Sequence, residues 1–326
     1  MVAPVNRRRF LGTTASMLAL SGVALAQSKD ADVTQDELPI CDTHQHLWDL
    51  GKLTLPWLKG PAVEKINRNF LMSDYLQLVA PHRVVKTLYM EVNVAPEQQH
   101  AEARYVLDLC ERPDNPMVGA ILGGSPQSPE FARYMEPYAQ DRRVNGVRTV
   151  LHDPDRPRGM CLQKTFVRNI QLLGEMGKTF DLCMRPGEIV DGARLGELCP
   201  GTALVIDHCG NMPVRSQDAA LREQWMRGMR QAAQRPNTYC KISGIIATAR
   251  PDAWVPQDLE PTIRFCLDTF GIDRCLFGGD WPVCTLTAPL AEWISALKTL
   301  VRQEPLEWQR KLFHDNAVRI YQVHDK

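Results

Sequence analysis

Eight short apolar runs, each followed by an amphipathic stretch, constrain the fold of this chain more than any other feature. The runs cover residues 39–46, 84–92, 117–123, 144–151, 179–184, 203–207, 238–242 and 274–277. The stretches between them repeat apolar residues three and four apart over about 10 to 15 positions, the period of a helix with one buried face. Strands of about six residues alternating with such helices are the signature of βαβ units in a parallel sheet. The spacing predicts helices over 96–110, 129–138, 162–176, 187–199, 218–234, 257–270 and 287–300. A shorter helix capped by Ser73 ends before Pro81, and a helical tail over 305–321 breaks near Asp315. Eight units fit an α/β chain folded as a single-domain (β/α)8 TIM barrel. The rival is a doubly wound open sheet. No G-x-G-x-x-G or G-x-x-x-x-G-K-[ST] follows any run, which removes the usual nucleotide-binding form of that rival.

In a parallel barrel the C-terminal strand ends form one rim, and chemistry collects there. The first run ends in His44-Gln45-His46. Alternation puts both imidazoles on one face, with Asp42 expected on the same face a layer lower. The other runs end in Glu91, His152, Arg185, His208, Lys241 with Ser243, and Asp280, the third run excepted. Charged side chains rarely point into a sheet-bounded core without pairing or function. His208 and Asp280 supply the third imidazole and the carboxylate that a lone H-x-H lacks. Arg185 suits a carboxylate or a polarised carbonyl. His152 can serve either as a turn cap or as a ligand for substrate. Lys241 can hold substrate or pair with Asp181 or Glu91. Ser243 has no histidine placed by sequence to activate it as a nucleophile. Trp48, Trp57 and Trp281 flank these positions, as pocket walls or as packing.

These residues carry a family resemblance. Asp42-Thr43-His44-Gln45-His46-Leu47-Trp48-Asp49, Gly146-Val147-Arg148 with Leu151-His152-Asp153, Arg185-Pro186, Asp207-His208-Cys209-Gly210 and Gly278-Gly279-Asp280-Trp281-Pro282 occur in order along the chain. Together they resemble the amidohydrolase-2 family of the amidohydrolase superfamily, in particular its lactonase branch, that of the L-fuconolactonases. The resemblance implies a TIM-barrel hydrolase with catalytic His44, His46, His208 and Asp280. Arg185, His152, Lys241, Glu91 and Trp48 would then bind substrate. Many metal-dependent relatives carry a bridging lysine on the fourth strand and a histidine on the fifth. Here the fourth reads Arg148-Thr149-Val150-Leu151 and the fifth ends in Arg185, which argues against two metals. One divalent ion, zinc or manganese, on His44, His46, Asp280 and His208 (or Glu91) remains compatible, and so does a metal-free site.

The expected reaction is opening of a lactone of a sugar acid or similar small oxygenated acid by base-assisted water attack, with Asp280 as the base. Two alternatives stand beside it: metal-dependent decarboxylation of a small aromatic or unsaturated acid, and sugar-acid binding without catalysis. A formal net charge of zero opposes a nucleic-acid surface, so the expected partner is a small molecule; the sequence is compatible with a homo-oligomer.

Residues 1–26 read as a twin-arginine signal peptide. Asn6-Arg7-Arg8-Arg9-Phe10-Leu11 precedes a weakly apolar stretch, and Ala24-Leu25-Ala26 offers a cleavage site. The stretch is too short and too polar to span ~30 Å of hydrocarbon. Cleavage would leave a polar, extended arm over 27–38 and the barrel over 39–326, acting in the periplasm with no stable membrane association. The ten cysteines form no C-x-x-C pair. Several sit inside apolar runs, where a thiol behaves as a small buried hydrophobe.

Overall fold

The computed structural model describes residues 34–326; the expected signal peptide and residues 27–33 of the arm lie outside the described residues. The eight strands are β1 (Ile40–Gln45), β2 (Val84–Met90), β3 (Met117–Gly123), β4 (Val144–Val150), β5 (Thr179–Cys183), β6 (Leu204–Ile206), β7 (Thr238–Ile242) and β8 (Cys275–Phe277). They pair in that order, every neighbour parallel. The sheet closes just beyond β8. The Asp280 N–H donates to the His44 carbonyl at 2.7 Å, and the His46 N–H donates to the Trp281 carbonyl at 2.8 Å. This closure sets Asp280 beside the two histidines of β1.

Helices separate the strands: α1 (Met72–Val79), α2 (Gln99–Glu111), α3 (Phe131–Met135), α4 (Lys164–Glu175), α5 (Ile189–Leu198), α6 (Ala219–Ala233), α7 (Pro256–Phe270) and α8 (Leu290–Leu300). Strands buried on both faces explain why the runs read as almost continuously apolar. On the outer face Phe180 of β5 meets Phe166 of α4 edge-on, and Phe277 of β8 stacks on Trp293 of α8. Burying one such side chain contributes roughly 1.5–3 kcal/mol. Inside the barrel, Leu88, Met90, Ile121, Val205 and Leu276 fill the lower layer, with Tyr321 and Val323 of the tail packed against them. The lower half is therefore a packed plug, and polar side chains gather above it.

Local details depart from the sequence expectations. Asp42 does not share the face of His44. Strand pairing is irregular between Asp42 and Gln45, and the carboxylate turns to Tyr75 of α1, whose hydroxyl donates to it at 2.7 Å. Ser73 lies inside α1 rather than capping it; Asp74 Oδ2 instead accepts the Leu71 N–H at 2.8 Å. The helix expected over 129–138 shortens to α3 and a single 3-10 turn at Glu136–Tyr138, because Pro137 has no N–H to continue the α ladder. The described end of the arm is not extended. Gln35–Glu37 forms one turn, and the Gln35 amide donates to the Lys298 carbonyl of α8 at 2.7 Å. The tail breaks as expected: α9 (Leu306–Arg310) and α10 (Asn316–Ile320) flank a π-helical segment at Lys311–Asp315. All ten cysteines are buried free thiols. No helix among the described residues is long and apolar enough to cross a membrane.

Candidate active site

Proton placement on the two β1 histidines follows from their partners. His46 Nδ1 lies 2.9 Å from the Met90 carbonyl, which can only accept, so Nδ1 carries the proton and Nε2 presents a lone pair. His44 Nε2 lies 3.2 Å from Arg148 Nη1, which can only donate; its other nitrogen, Nδ1, faces both Asp207 Oδ1 at 3.5 Å and the Lys241 ammonium at 3.4 Å. Asp280 Oδ1 then sits 3.4 Å from His46 Nε2 and 3.6 Å from His44 Nε2. Three electron-rich atoms converge, and the nearest hydrogen-bond donor to them is the Arg148 guanidinium on His44 Nε2. Such a cluster favours positive charge beside it. Bonds of about 2.0–2.1 Å around a tetrahedral ion place neighbouring donors roughly 3.4 Å apart. The donor set His44, His46 and Asp280, with ligand atoms within 4.8 Å of one another, therefore fits one divalent ion. The similar group His44, Asp207 and His208 fits less well, because the Lys241 ammonium already lies 3.1 Å from Asp207 Oδ1.

Beneath these donors runs a buried charge network. Lys241 Nζ donates to Asp181 Oδ2 at 2.6 Å, and Asp181 Oδ2 also accepts from the Tyr321 hydroxyl at 2.6 Å. Burial opposes the charge on Lys241, but Asp181 and Asp207 outweigh it and hold its pKa above the ordinary lysine value. Burial likewise opposes the Asp207 carboxylate, yet Lys241 and His44 hold its pKa well below the usual range. Burial, aided by Lys241 and His208, pushes His44 well below the ordinary imidazole value. Arg148 Nε donates to Glu91 Oε1 at 2.6 Å, and Nη2 donates to the Glu91 carbonyl at 2.7 Å.

His208 stands on the far side of His44, ring centroids 4.5 Å apart. Its Nδ1 meets Ser243 Oγ at 2.9 Å, so the serine orients a histidine and does not await activation as a nucleophile. His208, Cys209 and Asp280 all hold positive φ, between 53° and 55°, a strained backbone at the strand ends. Gly244 is required beside them: a Cβ there would stand 2.1 Å from His208 Nδ1.

A pocket of about 280 Å³ opens over this floor, with His46, Arg148, His208 and Asp280 at its base and Trp57, Val92, Val150 and Val283 among its walls. A larger hollow of about 450 Å³ between Lys65, Asp74 and Trp281 lies away from the imidazoles. Of the residues expected to bind substrate, His152 lines the pocket and is exposed at its rim. The other four do not line it. Lys241 is fully buried and committed to Asp181 and Asp207. Glu91 is taken by Arg148. Arg185 binds Glu188 at 3.1 Å and caps the backbone carbonyls of Asp153 and Arg156, so it pins the loop after β4. Trp48 is wholly buried, its indole N–H donating to the Arg68 carbonyl at 2.7 Å. Of the three tryptophans, Trp57 alone lines the pocket; Trp281 packs against Phe70 and Tyr75.

Arg148, Asp207, Asn93 and Asp153 join the site without having been singled out from the sequence. Arg148 and Asp207 had a signal, a full charge within a run otherwise apolar. Asp153 stood in the Leu151-His152-Asp153 motif without a role of its own, and Asn93, in a loop, had no signal.

A family model described as an amidohydrolase matches residues 41–323. A protein of Sinorhizobium fredii, y4mH, is 24% identical over 88% of this chain and 99% of its own. An L-fucono-1,5-lactonase of Burkholderia ambifaria is 27% identical over 77% of this chain and 83% of its own. Among solved structures, an amidohydrolase from Burkholderia multivorans with bound zinc superposes with a TM-score of 0.76 at 23% identity, covering 87% of this chain and 99% of that one.

Proposed function

The chain belongs to the amidohydrolase family, and on that premise we propose that it hydrolyses a lactone of a sugar acid or a similar small oxygenated acid. The observation that carries this reading is the Asp280 carboxylate, set against two imidazoles at the base of a small pocket. The similarity to a fuconolactonase supports the lactone as substrate class. Asp280 Oδ1 faces the imidazoles, whereas Oδ2 accepts no hydrogen bond from the described residues and is free to take the proton of an attacking water. The water oxygen adds to the ring carbonyl. Arg148, the one guanidinium at the pocket base, stabilises the oxygen that becomes negative. His208, held by Ser243, orients the water. The ring C–O bond then breaks, and Asp280 returns the proton to the leaving alkoxide. When bound, a divalent ion such as zinc or manganese on His44, His46 and Asp280 polarises the carbonyl and acidifies water.

The test is a panel of aldonolactones followed with a pH indicator, on the wild type and on Asp280→Asn. Turnover by the wild type and a loss of about 10²-fold or more in the variant, at unchanged circular dichroism, is the expected result. Near-normal activity in Asp280→Asn sinks the assignment. We also propose export by the twin-arginine route, on the strength of Arg7-Arg8 and of Ala24-Leu25-Ala26.

A further inference from the structure

Charge in the pocket is unevenly placed. Of the aspartate, glutamate, lysine and arginine side chains lining it, two are acidic, Asp153 and Asp280, and one is basic, Arg148. Arg148 is already paired with Glu91 through its side chain and its backbone carbonyl. Asp280 lies at the buried floor among the imidazoles, but Asp153 sits higher, half-buried on the loop after β4. Among the described residues no lysine or arginine forms an ion pair with its carboxylate. The Arg185 guanidinium binds the backbone carbonyl of Asp153 and directs its other nitrogen to Glu188. The one side-chain donor on the Asp153 carboxylate among the described residues is the Asn93 amide, 3.1 Å from Oδ2. Oδ1 accepts nothing from the described residues.

An ionised carboxylate is acceptor-only. One held by a neutral amide, with an oxygen to spare, attracts hydroxyl donors strongly and repels another carboxylate. The loop cannot easily swing the charge away, because Arg185 fixes the carbonyls of both Asp153 and Arg156. We infer that Asp153, positioned by Asn93 and Arg185, is the residue that sets substrate charge: it takes a hydroxyl of an uncharged, polyhydroxylated ring and turns away rings bearing a carboxylate. The inference rests on the lactonase reading for its reaction but not for its binding preference. It also weighs against anionic aromatic acids as substrates, whose carboxylate Asp153 would repel.

The experiment compares an uncharged aldono-1,5-lactone with a monolactone of an aldaric acid of the same carbon number. The wild type should favour the uncharged ring in kcat/KM by about tenfold or more. Raising ionic strength should narrow that gap through the KM of the charged ring, since salt screens repulsion. Asp153→Asn, which keeps the shape and the contact with Asn93, should narrow the ratio at least ~5-fold by improving the charged substrate. A wild type that uses both rings equally, or a ratio that neither salt nor Asp153→Asn moves, overturns the inference. Calorimetric binding of the corresponding non-hydrolysable lactams separates it from the reaction. If neither lactone is opened, the lactonase reading fails. The charge rule then stands if the neutral lactam binds more tightly than the carboxylated one and Asp153→Asn reduces the difference. Equal affinities, including none for either, overturn it.

Discussion

Glu102 of α2 is buried against Glu91 and accepts hydrogen bonds from the Tyr89 hydroxyl at 2.9 Å and the Val92 N–H at 2.7 Å. Burial and the Glu91 charge raise its pKa from 4.5 to about 8, against those two donors. The folded chain therefore binds this proton more tightly than the unfolded chain does. The stabilisation is complete below about pH 4.5 and is lost as pH rises through about 8. Glu102→Gln keeps the acceptor oxygen and removes the titration. Its urea-unfolding free energy should decline less than that of the wild type between those two pH values, and parallel profiles would show that Glu102 is ionised throughout. Lys241 is the opposite case, a charge that is needed. Replacing it with Met strands the Asp181 and Asp207 carboxylates in the barrel. The expected loss is about 3–5 kcal/mol in the same unfolding measurement, and a loss below about 1 kcal/mol would mean that the carboxylates are not held by this ammonium.

At the scale of elements, the fold was legible because one unit repeats eight times and every strand end but the third betrays itself by a polar residue after an apolar run. His44, His46, His208 and Asp280 were readable by that rule and meet as expected. The targets of Glu91 and Arg185 were not, and for Lys241 the pairing with Asp181 that the structure shows stood beside substrate binding as an alternative. A charge on a strand end can face the pocket or a neighbouring strand, and the partner is fixed by side-chain reach across the barrel, which no local pattern records. Asp42 was misplaced for a related reason: strand alternation assumes an even register, and β1 is irregular there. Arg185 shows what such a side chain does instead. It joins β5 to the loop after β4 through the carbonyls of Asp153 and Arg156. Arg185→Ala should free that loop, raising KM several-fold with a smaller effect on kcat, and hydrogen exchange over 152–156 should accelerate. Unchanged exchange there would show that the loop holds its shape without the guanidinium.

For the whole molecule, the proposed export route makes a prediction of its own. Replacing Arg7 and Arg8 by lysine should leave the full-length chain in the cytoplasm, whereas the unaltered chain should be recovered from the periplasm beginning near Gln27, as read by fractionation and N-terminal sequencing. Export of the lysine variant would remove the twin-arginine reading. The closure of the barrel has a consequence for timing. His44 and Asp280, whose backbones bond where the sheet closes, stand near opposite ends of the chain. A ribosome completes the first histidine pair early and the carboxylate almost last, so a nascent or truncated chain holds only two of the three converging donors. Closing contacts of such long sequence separation also slows folding. The three converging donors are thus brought together by the same event that completes the barrel.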